Sequence, residues 1–446
     1  LDSDGDGVID LFDLCPGTPS GEVVDANGCL PDGMIIDLNS NGTGNTSRLF
    51  GVIGENLYFW GYHEDYGQEL WATDGTEAGT RLVKDFSSNA GSTPITLLDT
   101  LGNEIYLIIR PGYSGVGTEL WETDGTTSGT VLLSSMGDYG SVGYPTAVGN
   151  GKIFASSGMG SSALYVVDSS GLTTISTDLR IRCVGPGTDD FVYLVAEDIN
   201  NNDGYELWRS DGTTTGTYMI KDINPSGNGV LSCKGKVIDD YLYFKTASNE
   251  IWRSDGTDTG TISMSDVDPN YNYVTTKEIH VLDDSLFWVT MVGNSGSFDA
   301  ELWKYDPSLE EANLVSTIIQ GSSSYPDFFD YFGVPTNDGT AYFCIDGIFY
   351  VTDLISVTSS QPITNGPCES ESSYDIIFGE NKIYYKIDYD LFSYELSTGT
   401  TALVMDYVET TAGYSVSSAM IKLGDYIITG MDDGVNGIEL HRFYAE

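Results

Sequence analysis

Glu69-Leu70-Trp71-Ala72-Thr73-Asp74-Gly75-Thr76-Glu77-Ala78-Gly79-Thr80 reads as a strand running into a tight turn, and the chain spells it again. Near-copies stand at Glu119–Thr130 and Glu206–Thr217, and one with Ile for Leu at Glu250–Thr261. A further copy, Glu301–Asp306, keeps Glu-Leu-Trp and then loses the turn. A period of roughly 45 residues, built from strand-like runs and Gly-rich turns, is the signature of a β-propeller.

Each copy follows a short alternating run that reads as the strand before it. Those runs are Leu57-Tyr58-Phe59, Ile105-Tyr106-Leu107, Ile153-Phe154-Ala155, Val192-Tyr193-Leu194, Leu242-Tyr243-Phe244, Leu286-Phe287-Trp288, Ala341-Tyr342-Phe343, Ile383-Tyr384-Tyr385 and Tyr426-Ile427-Ile428. The third strands align at Trp71, Trp121, Tyr165, Trp208, Trp252, Trp303, Tyr350, Tyr394 and His441. The count is nine units, with eight as the alternative if one degenerate unit is miscounted. The last unit reaches Glu446 without a fourth strand, while Met34-Ile35-Ile36-Asp37-Leu38-Asn39 resembles Met219-Ile220-Lys221-Asp222-Ile223-Asn224. The N-terminal segment is therefore expected to complete the last blade, closing the ring and covering strand edges that would otherwise pair with other chains. The expected fold is all-β: a propeller of four-stranded blades over 34–446, preceded by a small irregular module over 1–33. The recurring Trp is expected to fill the space between blades. The Asp-Gly-Thr turn is expected to be structural, with Asp accepting backbone N–H bonds and Gly supplying φ > 0.

The chain of 446 residues carries 66 acidic against 19 basic side chains, a net charge of −47. Such a field repels nucleic acid and anionic membrane, so neither is an expected partner. No run of 18 apolar residues is present, so no membrane insertion is expected. The chain begins inside a motif, with no signal peptide, and reads as a mature or partial product.

Six cysteines in such a chain indicate an oxidising compartment. Cys183 and Cys233 stand at the same position of consecutive units, nine residues before Val192 and Leu242, which favours a bond across blades. Cys344 ends a second strand and Cys368 lies in the following connection, two places on one face of the disc, so that bond is feasible. Cys15 and Cys29 are expected to pair, since a module this small has almost no core.

Asp2-x-Asp4-x-Asp6-Gly7-Val8-Ile9-Asp10-x-x-Asp13 places oxygen ligands at alternating positions around a Gly turn, the spacing that wraps hard oxygens around Ca²⁺. With its continuation Cys15-Pro16-Gly17-Thr18-Pro19 and Val24-Asp25-Ala26-Asn27-Gly28-Cys29, the stretch resembles thrombospondin type 3 repeats. The resemblance implies Ca²⁺ held by Asp2, Asp4, Asp6, Asp10 and Asp13 with the carbonyl of Val8. A weaker oxygen-rich loop comprises Asp198, Asn200, Asn202, Asp203 and Glu206. Residues 34–446 resemble the extracellular Glu-Leu-Trp-x-x-Asp-Gly-Thr repeat proteins of Bacteroidota. That likeness implies a propeller, a place outside the cell or on its surface, and association with type 9 secretion and adhesins. It brings no catalytic residues.

His63, His280 and His441 fall in distant units, and no nucleophile motif, phosphate loop or spaced Cys/His zinc site is found. The loops after the second strands and between units vary widely, and they carry aromatics: Tyr62, Tyr113, Tyr144, Tyr271, Tyr273, Tyr325, Phe328 and Tyr414. Variable aromatic loops over a rigid scaffold read as a recognition surface. The expected function is a secreted or cell-surface adhesion module, non-enzymatic, that binds a glycan or a protein through that face as part of a larger surface assembly. The alternative is a carbohydrate-active enzyme, a glycosidase or lyase, at the mouth of the central channel.

Overall fold

A strand covered on both faces reads as an unbroken apolar run, and Asn56–His63 is one: Leu57, Tyr58 and Phe59 are all buried. It pairs antiparallel with Arg48–Ile53 and Gly67–Thr73, and Arg81–Lys84 completes a four-stranded meander. The computed structural model repeats this unit around a ring of nine blades, all-β among the described residues. It describes residues 2–3, 5, 7–13, 15, 18, 20, 23–24, 26, 28–39, 44–45, 48–87, 91–110, 117–137, 143–156, 163–201, 203–264, 273–276, 279–282, 284–294, 297–307, 311–322, 332–335, 339–345, 348–359, 368, 376–379, 381–387, 390–405, 419–432 and 437–445. Blade 1 spans 48–84, blade 2 95–137, blade 3 143–176, blade 4 179–221 and blade 5 236–263. Blades 6, 7 and 8 span 273–322, 332–359 and 376–405, and blade 9 takes three strands from 420–444.

The apolar clusters lie between blades. Phe59 and Trp71 of blade 1 pack with Ile428 and Leu440 of blade 9, and Trp208 of blade 4 packs with Phe154 and Leu164 of blade 3. The repeated aromatic thus faces the preceding blade and fills the wedge, as expected. Truncating a fully buried Phe such as Phe59 to Ala costs about 3–5 kcal/mol, so these seams hold most of the stability.

Blade 9 takes its fourth strand from the other end of the chain. Gly33–Ile36 lies antiparallel on Gly437–Tyr444, with Met34 opposite His441 and Ile36 opposite Leu440. Gly44–Asn45 then pairs parallel with the start of the same strand, an addition the repeat pattern does not contain. All three expected disulfides form: Cys15–Cys29, Cys183–Cys233 and Cys344–Cys368, with Cα atoms 5.1, 6.0 and 5.5 Å apart. No helix among the described residues is long and apolar enough to cross a membrane.

Candidate functional site

The polar residues of the repeat recur at four of the turns, so their use decides where a site can lie. In blade 1, Asp74 Oδ1 accepts from the Thr76 amide at 2.9 Å and its hydroxyl at 2.7 Å. Thr76 Oγ1 accepts in turn from the Gly79 amide, and Thr80 Oγ1 donates to Thr76 O. A Cβ on Gly79 would stand 2.1 Å from the Asp74 carboxylate, which is why the last Gly of the motif is fixed. The same bonds recur at Asp124, Asp211 and Asp255. Hydrogen bonds from the following Thr hold the Asp124 and Asp211 carboxyls below their usual range. Each turn is also clasped by the blade before it: Thr127 Oγ1 donates to Val83 O, Thr214 Oγ1 to Ile175 O, and Arg442 Nη1 to Gly75 O. The Asp-Gly-Thr face is therefore the ring's fastening.

The Glu of Glu-Leu-Trp has two fates. Glu119, Glu250 and Glu301 each accept the indole N–H of the Trp two residues on, at 2.9, 2.9 and 3.2 Å. Glu69 and Glu206 are fully buried and point elsewhere. Glu69 accepts from the Phe86 amide and the Thr93 hydroxyl, and Glu206 from the Ile223 and Gly229 amides. Burial lifts both carboxyls to about 7 against the hydrogen bonds that pull them down. The Trp71 and Trp208 indoles, left by their usual partner, meet no acceptor among the described residues. These two clamps pin the connections of blades 1 and 4 on the face opposite the Asp-Gly-Thr turns.

That opposite face carries the variable loops. Of the aromatics expected there, Tyr62 is half-buried at the end of its strand. Tyr144 and Tyr273 fall in first strands, and Tyr113, Tyr271, Tyr325, Phe328 and Tyr414 lie outside the described residues. Sequence reading gives no binding role to His63 and Tyr66, which stand at a hairpin tip, His63 ending its strand and Tyr66 in the turn beyond it. His63 stacks on Trp71 at 5.7 Å and 26°, and Tyr66 stands 5.1 Å from His63. The signal available was two aromatic rings within one short loop.

The weaker oxygen-rich loop lies between the second and third strands of blade 4. Asp198 accepts from the Asn200 amide and Asn201 Nδ2, closing its own turn, while Glu206 is committed inside the blade; Asn202 lies outside the described residues. In the N-terminal module, Asp2 accepts from the Gly5 and Gly7 amides at 2.8 and 3.2 Å, and Asp10 from the Ser3 amide and hydroxyl at 2.7 and 3.0 Å. Asp13 accepts from the Cys15 amide, and Asp4 and Asp6 lie outside the described residues. Among the described residues no group of three or more His, Cys, Asp or Glu gathers as metal ligands. The module's second half docks on blade 9: the Leu30 amide donates to Tyr426 Oη, Arg442 Nε to Pro31 O, and the Tyr444 amide to Asp32 Oδ1.

No known family profile matches the chain, and no curated protein does. Among solved structures it is similar to Porphyromonas gingivalis dipeptidyl peptidase 4, at 9% identity and a TM-score of 0.45, over 78% of this chain and 55% of that one. It is similar to a prolyl endopeptidase at 9% identity and a TM-score of 0.39, over 79% and 55%. To an oligogalacturonate lyase in complex with manganese the identity is 11% and the TM-score 0.36, over 91% and 89%. The chain thus spans about half the length of the two peptidases, and at such identities the likeness is of fold alone.

Proposed function

We propose that this protein is a secreted or cell-surface binding module, non-enzymatic, whose ligand is a glycan met on the variable-loop face. The carrying observation is the division of labour between the two faces. The carboxylates of Asp74, Asp124, Asp211 and Asp255 are committed to turns, those of Glu119, Glu250 and Glu301 to indoles, and those of Glu69 and Glu206 to clamps. The opposite face carries loops that differ from blade to blade, over a propeller stiffened by two disulfides, Cys183–Cys233 and Cys344–Cys368. The paired cysteines fit an oxidising setting outside the cell. A glycan array with the purified protein tests this. Binding should be weakened by changes on the loop face and unchanged by Glu55→Ala at a turn on the other face. Turnover of a polysaccharide would establish the carbohydrate-active reading instead, and capture of a defined surface protein at the same loops would replace the glycan.

We further infer that the N-terminal module binds Ca²⁺. Its donors are all hard oxygens, and the bonds of Asp2 to Gly5 and Gly7 curl the backbone so that Ser3 meets Asp10. Asp2, Asp4, Asp6, Asp10 and Asp13 with the Val8 carbonyl would hold the ion, which would offset the repulsion among the carboxylates. Chelation should then raise hydrogen exchange at Gly5 and Gly7, while the Leu30 amide, bonded to Tyr426, stays protected. Equal exchange at Gly5 and Gly7 with and without excess chelator would remove the calcium reading.

A further inference from the structure

The tip of the hairpin between the second and third strands of blade 1 is built unlike the other described loops. Tyr66 is 37% exposed and stands edge-on to Trp71, with ring centroids 6.4 Å apart. His63 lies against both rings, its side chain 26% exposed. The corresponding tip of blade 4, Asp198–Gly204, and that of blade 5, Thr246–Asn249, contain no aromatic ring.

The tip is also rigid. His63 Nδ1 accepts from the Asp65 amide at 3.1 Å, and the Tyr66 amide donates to His63 O at 3.2 Å. In the neutral ring this places the proton on Nε2, which becomes a fixed donor. Gly67 adopts φ +74°, and a Cβ there would lie 2.7 Å from the Gly91 backbone, so the tip rests directly on the connection that follows the blade. The Thr93 amide donates to Gln68 O at 3.0 Å, and Thr93 Oγ1 reaches the Glu69 clamp. Rings held this way lose little freedom when a ligand arrives.

We propose that His63 and Tyr66, backed by Trp71, form a subsite for an uncharged pyranose. This rests on the glycan-binding reading above and assigns it a place. A pyranose presents a C–H face beside a ring of hydroxyls. The tip offers two partly exposed rings for the first, and for the second the His63 Nε2 donor, the Tyr66 hydroxyl and the exposed carboxylates of Glu64 and Asp65. The charge of −47 disfavours uronic, sulfated or phosphorylated sugars. A protein anchor point needs an apolar, water-free surround, and the rim of Glu64, Asp65 and Gln68 is polar.

Calorimetric titration of the intact protein tests the assignment, using neutral oligosaccharides of glucose, galactose and mannose, with oligogalacturonate as the charged probe. At least one neutral series should bind, with affinity lowered roughly tenfold or more in Tyr66→Ala. Tyr66→Phe should retain affinity within about threefold, and Glu55→Ala should match the parent. Equal affinity of Tyr66→Ala and the parent for a neutral sugar would overturn the subsite and leave the glycan reading standing. Preference for oligogalacturonate would overturn the charge argument and with it the ligand class. Silence toward every sugar would overturn both this subsite and the broader reading.

Discussion

Glu69 and Glu119 occupy the same position of the same motif, yet one carboxylate is sealed inside the molecule and the other rests on its own tryptophan. Glu206 follows Glu69, while Glu250 and Glu301 follow Glu119. In blades 1 and 4 the partners of the Glu come from the chain that follows the blade, whereas the connections after blades 2, 5 and 6 lie largely outside the described residues. Blades 1 and 4 continue into Asp85-Phe86-Ser87 and Asp222-Ile223-Asn224, which bring bare backbone amides back toward the third strand. A buried amide needs an acceptor, and the Glu supplies it, abandoning the indole. A motif residue therefore has no fixed role until the geometry of its neighbours is set.

The sharpest way to break this comparison is Gly229→Ala. A Cβ there would lie 2.2 Å from Glu206 Oε2, so the carboxylate must leave and the Ile223 amide loses its acceptor, while the Gly229 amide keeps the Tyr205 carbonyl. The expected cost is about 2–4 kcal/mol in chemical denaturation. A loss below about 0.5 kcal/mol would mean that the clamp contributes nothing to stability.

The second consequence is a pH dependence opposite to ordinary acid denaturation. Burial raises the carboxyls of Glu69 and Glu206 from 4.5 to about 7, so the folded state binds these protons more tightly than the unfolded chain. Their contribution is complete below about pH 4.5, is lost as pH rises through about 7, and is flat beyond, for about 2–3 kcal/mol each. Asp124 and Asp211, held below their ordinary value, act the other way and lose their contribution as the solution turns strongly acid. Stability measured between about pH 5 and 7.5 should fall as pH rises, and the double variant Glu69→Gln/Glu206→Gln should flatten that slope. An unchanged slope in that variant would show that these carboxyls are ionised normally.

Much of the fold was legible because propeller blades repeat. The second-strand runs, the Trp register and the kinship of Met34–Asn39 with Met219–Asn224 carry the blade count and the closing strand, and equal offsets from Val192 and Leu242 pair Cys183 with Cys233. The candidate site was less legible. Glu69-Leu70-Trp71 and Glu119-Leu120-Trp121 are spelled alike, and the clamp depends on where a distant connection turns. The His63 and Tyr66 tip is not legible in the sequence because stacking on Trp71 depends on the turn made by Asp65.

The finest test separates variants that change one atom. Glu206 faces the backbone N–H groups of Ile223, Asn224 and Gly229, and none can reverse its polarity. In Glu206→Gln the new NH₂ must confront one of them, so a loss of about 2 kcal/mol is expected. Glu250→Gln keeps a carbonyl oxygen for Trp252 Nε1 and should stay within about 0.5 kcal/mol of the parent. Glu69 lies between these cases, because one of its partners is the Thr93 hydroxyl, which now donates at 2.8 Å and can rotate to accept. Glu69→Gln should therefore cost less than about 1 kcal/mol, with Phe86 keeping the remaining oxygen. Adding Thr93→Val removes the group that adapts, so the two changes together should cost about 1 kcal/mol more than their sum. Strict additivity would mean that the hydroxyl does not turn, and that Glu69 and Glu206 are clamps of the same kind after all.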